Sequence, residues 1–328
     1  PRGLLCVGGK CPNCLMNVDG VPNVRICMET VSNGMIVRHQ NAWPSLNHDI
    51  MAFLDKLDRF LPVGFYYKSL IRPRWLWRLV EPLIRRVAGL GKIDVGSISS
   101  EKYEHLNLHT DLAVIGGGPA GITAALEAAR LGLQVTLIDD QTTLGGHLRT
   151  STKIHDGISE YAGLSGFDIA RKLTHKVTEL SNVQLISDAT AFGLYEGNLL
   201  GILQRRRLIK LRSQRILVAT GSFDVPLVFR NNDLPGVFLA SGVLRMLHLY
   251  GLRPGENALI VTNNDSGYML AVDLLNSGVK IACVVDSRPE IPKNLNEVQK
   301  LISENVPFMA SSTIKQAVGS KHVNGAVI

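Results

Sequence analysis

Three observations predict an α/β fold. Asp111 to Gly146 reads as strand, glycine-rich loop, helix, strand and terminal acid. Ala258 to Asp286 repeats that order with fewer glycines. A content of 45% apolar residues with 31 glycines suits a buried core whose loops turn tightly at the edge of a sheet.

At 328 residues the length suggests two or three domains. The net charge of +7 is spread along the chain, with no basic tail and little aromatic interleaving, so no nucleic acid is expected as a partner. No apolar run reaches membrane-spanning length and no signal peptide is visible, which gives a cytoplasmic expectation without membrane insertion. The chain opens on Pro1 without a Met and closes on Val327-Ile328 in mid-pattern, and it reads as a fragment at both ends.

Residues 1–40 are loop-rich, with short strands expected at Val24–Met28 and Met35–His39. Four of the five cysteines fall here, spaced Cys6-x4-Cys11-x2-Cys14-x12-Cys27. In a chain with no secretory signal this density favours metal over disulfides. C-x4-C-x2-C with a distant fourth Cys is the pattern of ferredoxin-type 2Fe–2S ligation, and soft thiolates match ferric ions. Gly8 and Gly9 suit a backbone that passes close to inorganic sulfur. A four-cysteine zinc site usually shows two C-x2-C pairs, and only one is present; scattered core cysteines are the remaining alternative. A partial ferredoxin-like domain is therefore expected over 1–40.

Residues 41–105 read as a helical connector. Asp49 to Phe60 and Pro73 to Leu90 have helical spacing, with Trp75, Leu76, Leu79, Leu83 and Ile84 on one side. Arg72, Arg74, Arg78, Arg85 and Arg86 crowd the second helix. A basic amphipathic membrane helix is one reading; a connecting subdomain with a solvated arginine face is the simpler one. Phe65-Tyr66-Tyr67, Trp75 and Trp77 could pack on a neighbouring domain or a partner subunit. Residues 94–105 read as a linker.

Residues 106–238 form the first Rossmann unit. Leu112–Ile115 is a strand that ends at once in Gly116-Gly117-Gly118-Pro119-Ala120-Gly121. Gly116 serves the tight turn, Gly118 lets backbone approach a pyrophosphate, and Gly121 lets the helix pack on the sheet. The helix N-terminus favours an anion. A second strand, Val135–Ile138, delivers Asp139, placed 23 positions after Gly116 to accept from ribose hydroxyls. Gly145-Gly146 follow near the cofactor. A helix is expected over Ile169–Leu180, a strand over Val183–Ile186, and a hairpin or meander over Thr190–Leu211 turning at Glu196-Gly197-Asn198. Arg205–Arg212 reads as a strand with a solvated basic face. Arg215–Ser222 reads as a separate buried strand whose Ala219-Thr220-Gly221 returns beside the nucleotide.

Residues 239–328 form a second, incomplete Rossmann-like domain, after a turn and short strand at Asn231–Ala240. Its strand Ala258–Val261, helix Tyr268–Leu275 and strand Lys280–Val285 flank the loop TNNDSGY, in which only Gly267 survives of the fingerprint. Cys283 reads as core.

The segments VPNVR (Val21–Arg25), QNAWPSL (Gln40–Leu46), FLPVGFYYKS (Phe60–Ser69), EPLIRRVAGLGK (Glu81–Lys92), GGGPAG, LPGVFLA and VTNNDSGY strongly resemble the alpha subunit of heterotetrameric sarcosine oxidase. Relatives include subunits of dye-linked L-proline dehydrogenase, hydrogen cyanide synthase and opine oxidase. The resemblance implies a two-dinucleotide-binding flavoprotein core, Rossmann-like and glutathione-reductase-like. It implies a dinucleotide, FAD or NAD, on Gly116, Gly118, Gly121 and Asp139, and an FMN at a subunit interface. It implies a hetero-oligomer in which a flavin-bearing beta subunit oxidises a secondary amine. Sarcosine oxidase alpha subunits generally lack the cysteine set and the other relatives carry it. That favours a dehydrogenase passing electrons through a cluster. No residue marks itself as a substrate base. The rivals are a stand-alone reductase of the pyridine nucleotide-disulfide type and a non-redox structural or regulatory subunit. The first would want a cysteine pair near the fingerprint, and the sequence has none between Asp111 and Val279.

Overall fold

Short strands pack around the cysteine loop at the start of the chain. The structure, a computed structural model, describes residues 3–40, 42–50, 53, 72–87, 89–92, 96, 102–157 and 160–328. β1 (Leu15–Val18), β2 (Val21–Arg25) and β3 (Val37–Arg38) form an antiparallel sheet in the order β2-β1-β3. β1 was not expected, since it is a four-residue strand inside the cysteine spacing and is specified by its two partners. α1 (Arg74–Val87) is the second expected connector helix, with Trp75, Leu79 and Leu83 exposed. Most of the expected helix Asp49–Phe60, the aromatic run Phe65-Tyr66-Tyr67 and most of the expected linker lie outside the described residues.

The fingerprint stands in a six-stranded sheet ordered β8-β5-β4-β11-β10-β9. In chain order this region runs β4 (Glu104–Ile115), α2 (Pro119–Arg130), β5 (Val135–Ile138), a 3-10 turn (Gly146–Thr150), β6 (Ile154–His155), β7 (Leu164–Ser165) and α3 (Gly166–Thr178). It continues with β8 (Val183–Ile186), β9 (Ala189–Tyr195), β10 (Leu199–Gln204) and β11 (Arg207–Val218). β8, β5, β4 and β11 are parallel, and β9 to β11 make the expected meander. The two strands expected over Arg205–Arg212 and Arg215–Ser222 are one. β11 pairs with β4 in one register from Arg207↔Glu104 to Val218↔Ile115, and its Arg215–Val218 end is half-buried to exposed. One core lies between β4, β5, α2 and α3, built on Val114, Ile122, Leu126, Leu137 and Leu173. A second packs Ile138, Ile186, Leu200, Ile202, Ile209 and Leu211 on the other side.

The turn at residues 231–239 carries no strand. Its Leu239 N–H bonds to the Leu5 carbonyl at 2.9 Å, and α4 (Ala240–Tyr250) follows at once. β12 (Asn257–Thr262), α5 (Ser266–Asn276) and β13 (Lys280–Asp286) reproduce the expected second βαβ, with α6 (Asn296–Ser303) and β14 (Phe308–Met309) completing a three-stranded parallel sheet. β15 (Gln316–Gly319) and β16 (Val323–Val327) form a hairpin. The chain divides into two compact units. One is Ile98–Phe223 with Leu247–Leu252; the other is Pro1–Ser97 with Asp224–Met246 and Arg253–Ile328. The cysteine loop and the second βαβ thus share a unit. Among the described residues no helix is long and apolar enough to cross a membrane.

The acid closing β13 is a structural plug. Asp286 is fully buried and accepts from the Tyr268 hydroxyl at 2.5 Å and from the Arg288 guanidinium at 2.7 Å. Burial alone raises its pKa, and the bonds from Arg288 and Tyr268 together outweigh this and leave it below the ordinary value. The same bond, with burial, pushes Tyr268 up to about 12. A depressed carboxyl contributes stability that is present above its unfolded pKa of about 3.9 and is lost as pH falls through the folded value. Tyr268→Phe is expected to cost about 1–3 kcal/mol at neutral pH by leaving a buried acceptor short of a donor. Asp286→Asn should flatten the acid limb of stability against pH, and urea midpoints between pH 3 and 7 measure both. An unaltered acid limb in Asp286→Asn would remove this carboxyl from the stability balance.

Candidate functional site

The six-stranded sheet brings every expected dinucleotide residue to one edge. Gly116 leaves β4 with φ 109°. A Cβ there would collide with the Ala219 carbonyl oxygen, so the turn and the return of Ala219-Thr220-Gly221 both require glycine. Ala219 is held there by its N–H bond to the Ile115 carbonyl at 2.8 Å. Gly121 lies on α2 where a Cβ would overlap the Gly116 carbonyl oxygen. These two glycines serve the protein's own packing. Gly118 is different. Its φ is an ordinary −75°, and a Cβ on it would meet no atom closer than the Gly146 Cα at 4.0 Å. The space that this glycine leaves open is not filled by the protein's own atoms. No side chain caps the N-terminus of α2, and Pro119 and Ala120, both exposed, open it beside that space. Uncapped N–H groups with the positive end of the helix dipole suit a pyrophosphate.

Asp139 does more than the sequence suggests. One of its oxygens accepts from the Gly117 N–H at 2.5 Å and the other from the Gln141 N–H at 2.8 Å, so the acid also fastens the glycine loop. Burial raises its pKa, against the lowering effect of these two backbone donors. Each carboxylate oxygen retains acceptor capacity for a ribose hydroxyl. Gly145 closes the ring of loops, its N–H bonding to the Gly117 carbonyl at 2.7 Å, and Gly146 packs its backbone against Gly118. His147, on the turn that follows, bonds through Nε2 to the Ser222 carbonyl at 2.9 Å and ties this turn to the end of the Ala219-Thr220-Gly221 return.

The second βαβ offers no such space. Gly267 is required because a Cβ would strike the Thr262 side chain. Thr262 Oγ1 donates to the Asn264 carbonyl at 2.8 Å and knits the loop on itself. Asp265, at the N-terminus of α5, pairs with Arg288 at 2.8 Å, so a carboxylate stands where a phosphate would need to be.

The cysteine loop meets the requirements of a two-iron cluster. Cys6, Cys11 and Cys14 are buried, Cys27 is half-buried, and all four are free thiols. They contact in two pairs, Cys6 with Cys11 and Cys14 with Cys27. Two thiolates per iron on two irons is the ligation that two pairs supply. Cys6 Sγ accepts from the Lys10 N–H at 3.2 Å, and the Gly8, Gly9 and Asn13 N–H groups also turn toward sulfur. The bond from Cys27 draws Cys14 down to about 6 and pushes Cys27 up. Burial raises Cys11, and in Cys6 the bonds from Cys11 and the backbone overcome the same burial. In each pair one thiol is thus lowered and the other raised. Gly9, with φ 70°, takes a left-handed turn. A Cβ on Gly8 would fall where the Arg245 guanidinium lies.

With this geometry in place, comparison with known proteins is decisive. The profile of the pyridine nucleotide-disulphide oxidoreductases matches residues 110–327. The chain belongs to that family. The 2Fe–2S iron-sulfur cluster binding domain matches residues 1–42, so FAD or NAD binding and a 2Fe–2S cluster are features of this oxidoreductase. Sarcosine oxidase subunit alpha of Rhizobium meliloti (strain 1021) is 39% identical over 93% of this chain and 32% of its own length. The subunit of that name from Corynebacterium sp. (strain P-1) is 36% identical over 62% of this chain and 22% of its own. The chain therefore spans about a third or less of these two relatives. L-proline dehydrogenase from P. horikoshii shares the fold at a TM-score of 0.51 and 23% identity, over 73% of this chain and 42% of that one. The one cysteine in the matched region, Cys283, lies on β13 with its pKa raised by burial.

Proposed function

We propose that this chain is the nucleotide-binding, electron-transfer alpha subunit of a multi-subunit amine oxidoreductase that acts on secondary amines. The observation that carries it is the presence, on one chain, of a dinucleotide cradle at Gly118 and a paired four-cysteine loop. Gly116, Gly118, Gly121, Asp139, Gly145, Gly146, Thr220 and Gly221, with Pro119 and Ala120 at the helix start, hold the dinucleotide. Cys6 with Cys11 and Cys14 with Cys27 hold the cluster, one pair to each iron. When bound, the dinucleotide carries electron pairs and the cluster single electrons. The chain's own residues bind, orient and insulate these groups.

Oxidation of an amine needs its reacting carbon held about 3–3.5 Å from a flavin by groups that orient it. We assign that task to a flavin-bearing beta partner, with FMN at the subunit boundary. The relatives named as sarcosine oxidase subunits support this division, and a cytoplasmic assembly is consistent with it. The complete subunit alone is expected to show negligible amine dehydrogenase activity. Co-expression with the partner should restore dye reduction at least about 100-fold, a difference of about 2.7 kcal/mol in the barrier. Substantial turnover of sarcosine or proline by the isolated subunit would overturn the division of labour. Extraction and identification of the bound dinucleotide tests the cradle directly.

A further inference from the structure

A cation from 237 positions further along the chain covers the loop that carries Cys6 and Cys11. Arg245, on α4, donates from Nη1 to the Val7 carbonyl at 3.4 Å, and its guanidinium occupies the place where a Gly8 side chain would stand. The approach is built by close packing. Gly242, three residues earlier and so on the same helix face, presses against the loop so tightly that a Cβ would lie 2.7 Å from the Leu5 carbonyl oxygen and 3.2 Å from that of Cys6. Val237 and Leu239 pack on the buried Leu5, Cys6 and Cys11. Arg245 is half-buried. Its bond is to a neutral carbonyl, so that bond fixes the charge in place without cancelling it.

We propose that Arg245 is a positioning residue that raises the reduction potential of the cluster through the Cys6–Cys11 side. One-electron reduction adds one negative charge to the cluster, and cluster potentials follow net charge, hydrogen bonding at sulfur and solvent exposure. A cation fixed beside the cluster stabilises the reduced form more than the oxidised one, and its half-buried position lessens screening by solvent. The bond to Val7 O also holds the turn that aims the Gly8 and Lys10 N–H groups at Cys6. The inference rests on the cluster being seated at these four cysteines.

The test is an anaerobic titration of the full chain with its partner subunit, with dithionite as the reductant. Wild type, Arg245→Gln and Arg245→Lys are followed by paramagnetic resonance, and iron and sulfide are assayed in each. Arg245→Gln is expected to keep its iron and to shift to lower potential by about 59 mV, a tenfold change in the one-electron equilibrium. Arg245→Lys should stay near wild type. An unchanged potential in an iron-replete Arg245→Gln protein overturns the proposal. So does loss of iron from that variant, which would make Arg245 an assembly clamp. Wild type that holds no iron would instead sink the cluster reading itself, and the iron assay separates that failure from this one.

Discussion

Gly118→Val is expected to give a folded protein that retains no dinucleotide. The sequence gives the three fingerprint glycines different tasks, and the structure separates them in the same way, by what each side chain would meet. At Gly116 and Gly121 a Cβ collides with backbone carbonyl oxygens of the protein itself, which cannot move aside cheaply. Gly121→Val should therefore fail by misfolding, through an overlap worth about 1–3 kcal/mol or more. At Gly118 the backbone is ordinary and the nearest atom lies 4.0 Å away, so valine is tolerated by the fold and fills the cradle instead. We expect retention to fall at least about 100-fold, or about 2.8 kcal/mol, with an unaltered melting curve for the apo forms. Extracted nucleotide per chain, measured beside circular dichroism, distinguishes the two classes. Full cofactor content in Gly118→Val would place the dinucleotide elsewhere. Gly267→Val belongs with Gly121→Val, because the clash there is with the Thr262 side chain and the expected loss is of stability.

The parts of this architecture that were legible were those written in local spacing. The strand, loop, helix and strand of both βαβ units fall within a few residues of their expected positions, because glycine, alternation and helical period are properties of short windows. β4 begins at Glu104, inside what reads as a polar linker, since its outer half alternates leucines with His and Asn and is specified by pairing with β11. β11 reads in the sequence as two strands for the same reason: Ser213-Gln214 look like a break, and the register with β4, the same on both sides of them, shows that they are not. At the candidate cofactor sites, the four-cysteine spacing and the glycine fingerprint are legible in the sequence, and the pairing of the cysteines is not. Nor is Arg245, because its contact with Gly8 arises from tertiary packing of α4 on the cysteine loop.

Cys14→Ser is expected to abolish the 2Fe–2S cluster outright. The two contacts, Cys6 with Cys11 and Cys14 with Cys27, make each iron dependent on two adjacent sulfurs. Loss of either member leaves an iron with one thiolate and a neutral hydroxyl, a harder and weaker ligand for a ferric ion. The wild-type protein should be brown, with about two irons per chain and a rhombic paramagnetic signal after reduction. Cys14→Ser should be colourless, with iron below about a tenth of that level. Cys27→Ser should behave alike, because the bond between the two sulfurs is what draws Cys14 toward thiolate. Cys283→Ser is the control: that thiol sits on β13, raised by burial, and its removal should leave iron unchanged. Nor should Gly118→Val disturb the iron, since no cysteine lies among the cradle residues. Stoichiometric zinc without iron in an anaerobic preparation of wild type would refute the two-iron assignment. An iron-replete Cys14→Ser protein would show that the pairs are not the ligands.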